Sequence, residues 1–266
     1  MRVALAQMDC RLGGMAANVG RAAELRLEAG GAGADLVVFP ELTVTGYCKE
    51  RRESELAMAA DDERLGRVAG DASVVVGFAE RPWSNAAAWW EGGRPRHVQR
   101  KLYLPNYGPW REGEHFVSGD RLEVVDGFAI LICNDAWHPA LVELAVRRGA
   151  EVLVVPANSA RSELVDNPST WRDITRFYAR LLQVFVVFVN RVGVEDGFSF
   201  WGGSHVVDFD GRVVAEAPED VEALVCADLD REALRGRRRE LPLLDDPRLD
   251  LLTTGFGDLA RAWDDP

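Results

Sequence analysis

Glu41, Lys101 and Cys133 stand at the margins of apolar runs and together supply a base, a cation and a thiol. Glu41 closes Leu36-Val-Val-Phe-Pro-Glu41, Lys101 lies in Gln99-Arg100-Lys101-Leu102-Tyr103-Leu104-Pro105, and Cys133 ends Ala129-Ile-Leu-Ile-Cys133 ahead of Asn134-Asp135-Ala136-Trp137. Each has an ordinary reading by itself. A carboxylate at a strand end is commonly a cap or ion-pair residue, a lysine there is commonly solvated, and a lone cysteine in an apolar strand is commonly inert core. The conjunction reads differently. A thiol at a strand-to-helix turn faces backbone N–H groups that stabilise a thiolate and later an oxyanion. Three strand ends converging on one edge of a layered sheet would bring together the groups needed for acyl transfer without histidine.

Other catalytic signatures are missing. The sequence contains no Walker-type loop and no His-Glu-x-x-His, and Gly202-Gly203-Ser204-His205 is not a Gly-x-Ser-x-Gly elbow. Gly30-Gly31-Ala32-Gly33 precedes a strand, so it reads as a helix stop and not as a dinucleotide loop. His138 is followed by Pro139, which suits a first helical position and gives the histidine a surface or capping role. Cys10, Cys48, Cys133 and Cys226 are too widely spaced for a zinc framework or a disulfide ladder, and no metal is expected.

The elements that must position these residues follow from hydrophobic periodicity. Strands are expected over Val3–Met8, Leu36–Phe39, Ser73–Ala79, Ala86–Trp90, Leu122–Val125, Ala129–Ile132, Val152–Pro156, Val184–Asn190, Ser204–Asp208, Val213–Ala217 and Leu224–Asp228. Helices are expected over Ala16–Ala29, Ser54–Ala69, Ala140–Arg148 and Ser169–Leu182, with hairpin turns at Glu91-Gly92-Gly93 and Asp210-Gly211. Several strands are apolar throughout, as when both faces are covered. The pattern is that of an α/β layered domain with helices outside a sandwich. The domain is expected over residues 1–240. The segment 241–266, carrying Pro242, Pro247 and Asp245-Asp246, reads as an extended arm of the same domain or of a subunit interface.

The 266 residues carry 31 Lys+Arg against 43 Asp+Glu, a formal charge of −12 that argues against nucleic acid or an anionic membrane as partner. The run Arg237-Arg238-Arg239 reads as solvated surface. No apolar stretch approaches the ~20 residues of a bilayer span, and the first residues lack a signal-peptide pattern, so a cytoplasmic location is the expectation.

With these motifs in order, the chain resembles the nitrilase superfamily of carbon–nitrogen hydrolases along nearly its whole length. The resemblance rests on Phe39-Pro40-Glu41-Leu42 with Thr45-Gly46-Tyr47, on Arg100-Lys101-Leu102-Tyr103-Leu104-Pro105, and on Cys133-Asn134-Asp135-Ala136-Trp137. Asn190-Arg191-Val192-Gly193, Phe200-Trp201-Gly202-Gly203-Ser204 and the opening Val3-Ala-Leu-Ala-Gln7 agree as well. It implies a four-layer αββα sandwich and a Glu41–Lys101–Cys133 triad, with no cofactor and with homodimers or larger assemblies. It also implies a supporting glutamate that falls on Glu112. There the chain departs from the family pattern, with Glu114-His115-Phe116 in place of Arg-Tyr-Phe and Ser118-Gly119 in place of Pro-Gly, which leaves Glu114 as the alternative.

The resemblance implies hydrolysis of a non-peptide carbon–nitrogen bond. Asn134-Asp135 after the cysteine looks more like amidases, carbamoyl hydrolases and glutamine-hydrolysing domains than like true nitrilases, so the expected partner is a small amide-like molecule. Nitrile hydrolysis, ammonia supply to a synthetase, or a non-catalytic binding protein that kept the fold are the alternatives. Tyr47, Asn106, Asn134, Trp137, Asn158 and Trp201 lie beside the motifs as candidate pocket residues, each with a structural reading alongside. Arg161 and Arg172 have two readings, partners for a substrate carboxylate or members of surface ion pairs.

Overall fold

A computed structural model describes residues 1–47, 56–245 and 247–264. Cys48 and the first two residues of the helix expected over Ser54–Ala69 lie outside the described residues, and of the remainder residues 57–62 are not helical, so the helix runs only over Glu63–Ala69. From the amino end the chain runs β1 (Arg2–Gln7), α1 (Met15–Gly31), β2 (Leu36–Val38), α2 (Glu63–Ala69), β3 (Val74–Glu80), β4 (Ser84–Glu91) and β5 (Arg94–Arg100). It continues through β6 (Val124–Val125), β7 (Phe128–Ile130), α3 (Pro139–Arg147), β8 (Val152–Ala157), α4 (Asn167–Leu181) and β9 (Phe185–Asn190). The last elements are β10 (Val192–Glu195), β11 (Phe198–Trp201), β12 (His205–Val207), β13 (Val213–Glu216), β14 (Ala223–Asp228), α5 (Arg231–Glu240) and α6 (Leu249–Asp264).

Two six-stranded sheets, in the orders β14-β1-β2-β3-β4-β5 and β13-β12-β9-β8-β7-β6, stack face to face. Strand alternation assigns the layers. Val3, Leu5, Leu36, Val38 and Val75 of the first sheet meet Ile130, Val152, Val154, Val187 and Val189 of the second in one buried cluster. Ala4, Ala6, Val37, Val74 and Val76 point the other way, onto Val19, Ala22 and Leu25 of α1 and Leu65 and Val68 of α2. Leu153, Val155, Val186 and Phe188 cover the opposite outer face beneath Val142 and Val146 of α3 and Trp171 and Tyr178 of α4. This is the αββα sandwich expected above. Runs apolar at every position are the signature of strands buried on both faces.

Several elements depart from the expectation. β5, Arg-Pro-Arg-His-Val-Gln-Arg, is an edge strand with a solvated face and carries no apolar alternation to read. β10 and β11 form a separate hairpin. The arm expected beyond residue 240 is helical over Leu249–Asp264. α5 escaped notice because only Leu234 is buried in it, and ion pairs of Arg231 and Arg235 with Glu151, both at 2.6 Å, tie it down. Nor is the arginine run merely solvated. Arg237 pairs with Asp210 at 3.3 Å, and Arg238 donates to the carbonyls of Gln183 and Ala150 at 3.0 and 2.9 Å.

The carboxyl ends of parallel β1, β2 and β3 share one rim, as do those of parallel β7, β8 and β9 in the other sheet. The loop after β2 is pressed against β3 at Gly77. A Cβ there would meet the Leu42 nitrogen and lie 2.6 Å from the Pro40 carbonyl oxygen. Val44 N–H meanwhile donates to the Gly77 carbonyl at 3.2 Å. Gly77→Ala should therefore cost about 1–3 kcal/mol and displace Glu41. Chemical denaturation checks the first effect, and an unchanged midpoint would show that the loop yields.

Candidate active site

Glu41, Lys101, Glu112 and Cys133 come together at this rim. Glu41 lies one turn beyond β2, and Leu42 after it takes a positive φ of 49°. Lys101 follows β5, its N–H donating to the Asn85 carbonyl at 2.8 Å and its carbonyl accepting from Gly119 N–H at 2.8 Å. Cys133 follows β7 at the start of a 3-10 turn over Cys133–Trp137, with φ at 46°. That left-handed conformation is costly for a residue with a Cβ and concentrates at functional sites.

The Lys101 ammonium is fully buried and held by two carboxylates. Its Nζ lies 2.7 Å from Glu41 Oε1 and 2.9 and 2.8 Å from the two oxygens of Glu112. Glu41 Oε1 also accepts from Asn85 Nδ2 at 2.7 Å, and its Oε2 from the backbone N–H of Asn158 at 2.8 Å. Tyr47 donates its hydroxyl to Glu112 at 3.2 Å. Burial alone would lower the Lys101 pKa, but Glu112, Glu41 and the thiol together hold it well above the usual lysine value. Burial pushes Glu112 up to about 7 against the pull of Lys101. Burial and the nearby Glu41 hold the Cys133 thiol well above its ordinary value, so the resting sulfur is protonated.

Of the two supporting candidates, Glu112 is buried beside Lys101, whereas Glu114 is exposed and lies 3.8 Å from Arg111. Asn106 stands outside the cavity: its Oδ1 accepts from Gly113 N–H at 2.8 Å and braces the short turn that carries Glu112. Trp201 also stands back from the cavity, fully buried against Phe188 with its Nε1 3.3 Å from Ser159 Oγ. Tyr47, Asn134, Trp137 and Asn158 line a cavity of about 50 Å3 with Glu41, Glu112 and Cys133. Arg161 and Arg172 face outward, to Glu219 and Asp220 and to Glu216 and Glu219 respectively. His138 enters α3 without capping it and stacks on Tyr103 at 3.5 Å.

Sequence reasoning passed over Asn85, Tyr107, Trp110, Asn167 and Trp171. Asn85 carried a signal: it is a lone amide in the apolar run Asn85-Ala-Ala-Ala-Trp-Trp. The aromatic walls carried none, because tryptophans at helical or loop spacing look like core.

Asp135 has a distinct role. Its Oδ1 accepts from the backbone N–H groups of Leu102 and Tyr103 at 2.9 and 2.8 Å, and its Oδ2 from that of Ile132 at 3.0 Å. One fully buried carboxylate thereby ties the lysine segment to the cysteine turn. Burial pushes it up to about 7, with the three N–H groups pulling the other way.

The sequence profile of the carbon-nitrogen hydrolase family matches residues 2–239. A glutamine-dependent NAD(+) synthetase of Thermotoga maritima is 32% identical over 247 residues, covering 86% of this chain and 42% of that protein. An (R)-stereoselective amidase of a Pseudomonas species is 30% identical over 263 residues, covering 94% of this chain and 92% of the amidase. The crystal structure of a carbon-nitrogen hydrolase from Helicobacter pylori G27 superposes with a TM-score of 0.84 at 25% identity, covering 94% and 96% of the two chains. The chain belongs to the carbon-nitrogen hydrolase family, within the nitrilase superfamily. It spans less than half the length of the synthetases it matches. Among the described residues no helix is long and apolar enough to cross a membrane.

Asp135→Asn places an amide donor against at least one backbone N–H that now has an acceptor. The variant should lose about 1–3 kcal/mol of stability and loosen Lys101 from Cys133. Thermal unfolding together with the alkylation rate at Cys133 reads both, and a variant like wild type in each would refute the clamp.

Proposed function

We propose that this chain hydrolyses the carbon–nitrogen bond of a small linear amide, an ω-amide or an N-carbamoyl compound through a thioester on Cys133, releasing ammonia. The observation that carries the reading is one fully buried ammonium held by two carboxylates that line a single cavity with Cys133. The similarity to an amidase over nearly the full length of both chains supports an amide substrate over a nitrile.

The chemistry follows from the geometry. Because the thiol is protonated at rest, Glu41 takes its proton as Sγ attacks the amide carbon. The oxygen acquires negative charge, which the Lys101 ammonium and the backbone N–H of Asn134 neutralise. Glu41 returns the proton to the nitrogen, the carbon–nitrogen bond breaks, and ammonia leaves an acyl thioester. Water, deprotonated by Glu41, then attacks the thioester carbon. The carbon–sulfur bond breaks, the thiol regains a proton, and the acid departs. Glu112 and Tyr47 keep Lys101 aimed at the oxygen.

The likeness to glutamine-dependent synthetases favours a second reading, in which the amide is that of glutamine and the ammonia passes to a synthetase. Ammonia release from a panel of linear amides, glutamine, N-carbamoyl compounds and nitriles separates the readings. Cys133→Ala should abolish release, and Lys101→Ala should lower kcat by about 10²–10³. Retained turnover in Cys133→Ala would end the thioester mechanism.

Glu112 sets a pH dependence. Below about 7 its buried carboxyl takes a proton, and Lys101 loses one of its negative partners. The value of kcat/KM should therefore fall as the pH drops through about 7. Glu112→Gln, neutral at every pH, should be slower throughout and lose that acid limb. A limb that persists in the variant belongs to another group.

A further inference from the structure

Asn158 is the first residue after β8, and its backbone is pinned on every side. Its N–H donates to Glu41 Oε2 at 2.8 Å. The next residue is held on both edges by Asn190, whose Oδ1 accepts from Ser159 N–H at 2.8 Å and whose Nδ2 donates to the Ser159 carbonyl at 3.1 Å. Ala157, just before it, accepts from Arg191 N–H at 3.3 Å. A backbone held this firmly gives the side chain a fixed origin.

Among the described residues the side chain itself has no hydrogen-bond partner. Asn158 is only 4% exposed, lines the cavity in front of Cys133, and has neither Oδ1 nor Nδ2 hydrogen-bonded. Asn190, by contrast, uses both amide atoms on the backbone. A buried amide with an idle donor and an idle acceptor is costly for the fold, and a ligand that offers the complementary pair relieves that cost. The walls around it are otherwise mainly aromatic or neutral, with Tyr107, Trp110, Trp137 and Trp171 lining the same cavity.

We propose that the Asn158 carboxamide is a specificity-determining group that recognises an unsubstituted carboxamide, its Oδ1 accepting an N–H of the substrate nitrogen. The inference rests on the amide reading above and deepens it. A primary amide presents an N–H donor and a carbonyl acceptor to this residue. A nitrile of the same carbon skeleton presents an acceptor only and leaves Oδ1 buried and unpaired, a mismatch that discriminates strongly in sites built around a hydrogen bond. The same contact places the substrate nitrogen beside Glu41, because Glu41 Oε2 already accepts the N–H of Asn158 itself.

The test separates binding from turnover. In the Cys133→Ala background, the fluorescence of Trp110, Trp137 and Trp171 is titrated with propionamide and with propionitrile. Adding Asn158→Ala should weaken propionamide about 10–100-fold while changing propionitrile less than about threefold. Asn158→Leu, which keeps the volume and removes both polar atoms, should give the same split and guards against collapse of the alanine variant. Equal weakening of the two ligands, no change for propionamide, or no propionamide binding before Asn158 is altered would each overturn the inference. Ammonia release by the wild-type chain is scored separately. Turnover of amides with an unsplit response in the Asn158 variants would remove this inference and leave the amide reading standing. Binding with the expected split but no release from any amide would remove the hydrolytic reading alone.

Discussion

A buried lysine between two buried carboxylates is the constraint around which the rest of the structure is arranged. Removing each ion from water costs several kcal/mol, which is regained only when partners stand in close, well-formed contact. Lys101 meets that condition at 2.7–2.9 Å from Glu41 and Glu112. Two negative partners for one positive charge leave an excess, and in a dry site that excess raises the proton affinity of Glu112 and of the Cys133 thiol. The same imbalance that makes the cluster expensive keeps the sulfur protonated until a base accepts its proton.

Bringing the groups of this site to one rim takes separate segments of both sheets, and the sandwich supplies them. The parallel strands β2, β7 and β8 deliver Glu41, Cys133 and Asn158 to one rim, and β5 at the sheet edge delivers Lys101. Fine adjustment is left to backbone strain and close approach. Leu42 and Cys133 take positive φ, Gly77 leaves room for the Glu41 loop, and Asp135 fastens the lysine segment to the cysteine turn. Each device is local.

The relatives include both glutamine-dependent synthetases and amidases. The small cavity in front of Cys133 carries the unpaired amide of Asn158 in its wall. Arg161 and Arg172 are engaged with Glu216, Glu219 and Asp220 and take no part in the cavity wall.

Much of this was legible in the residue order. Apolar runs marked the strands buried on both faces, because double burial leaves no polar positions, and the abrupt polar residues ending them marked Glu41 and Cys133. Lys101 and Glu112 were legible through the family motifs. What sequence could not carry were features whose physical cause lies across the fold. Strand β5 and helix α5 bury so few side chains that periodicity is silent, and the helix at Leu249–Asp264 lies where prolines and aspartates suggested an extended arm. Asn106 and Trp201 sit beside the motifs in sequence yet brace the site from behind, because adjacency along a chain does not fix which way a side chain faces. The choice of Glu112 over Glu114, the clamp at Asp135 and the idle amide of Asn158 were likewise decided by packing. Sequence determined which groups the chain owns and on which strand ends they stand. Only the tertiary structure decided which of them lose water, because burial depends on what packs over a side chain and not on its neighbours along the chain.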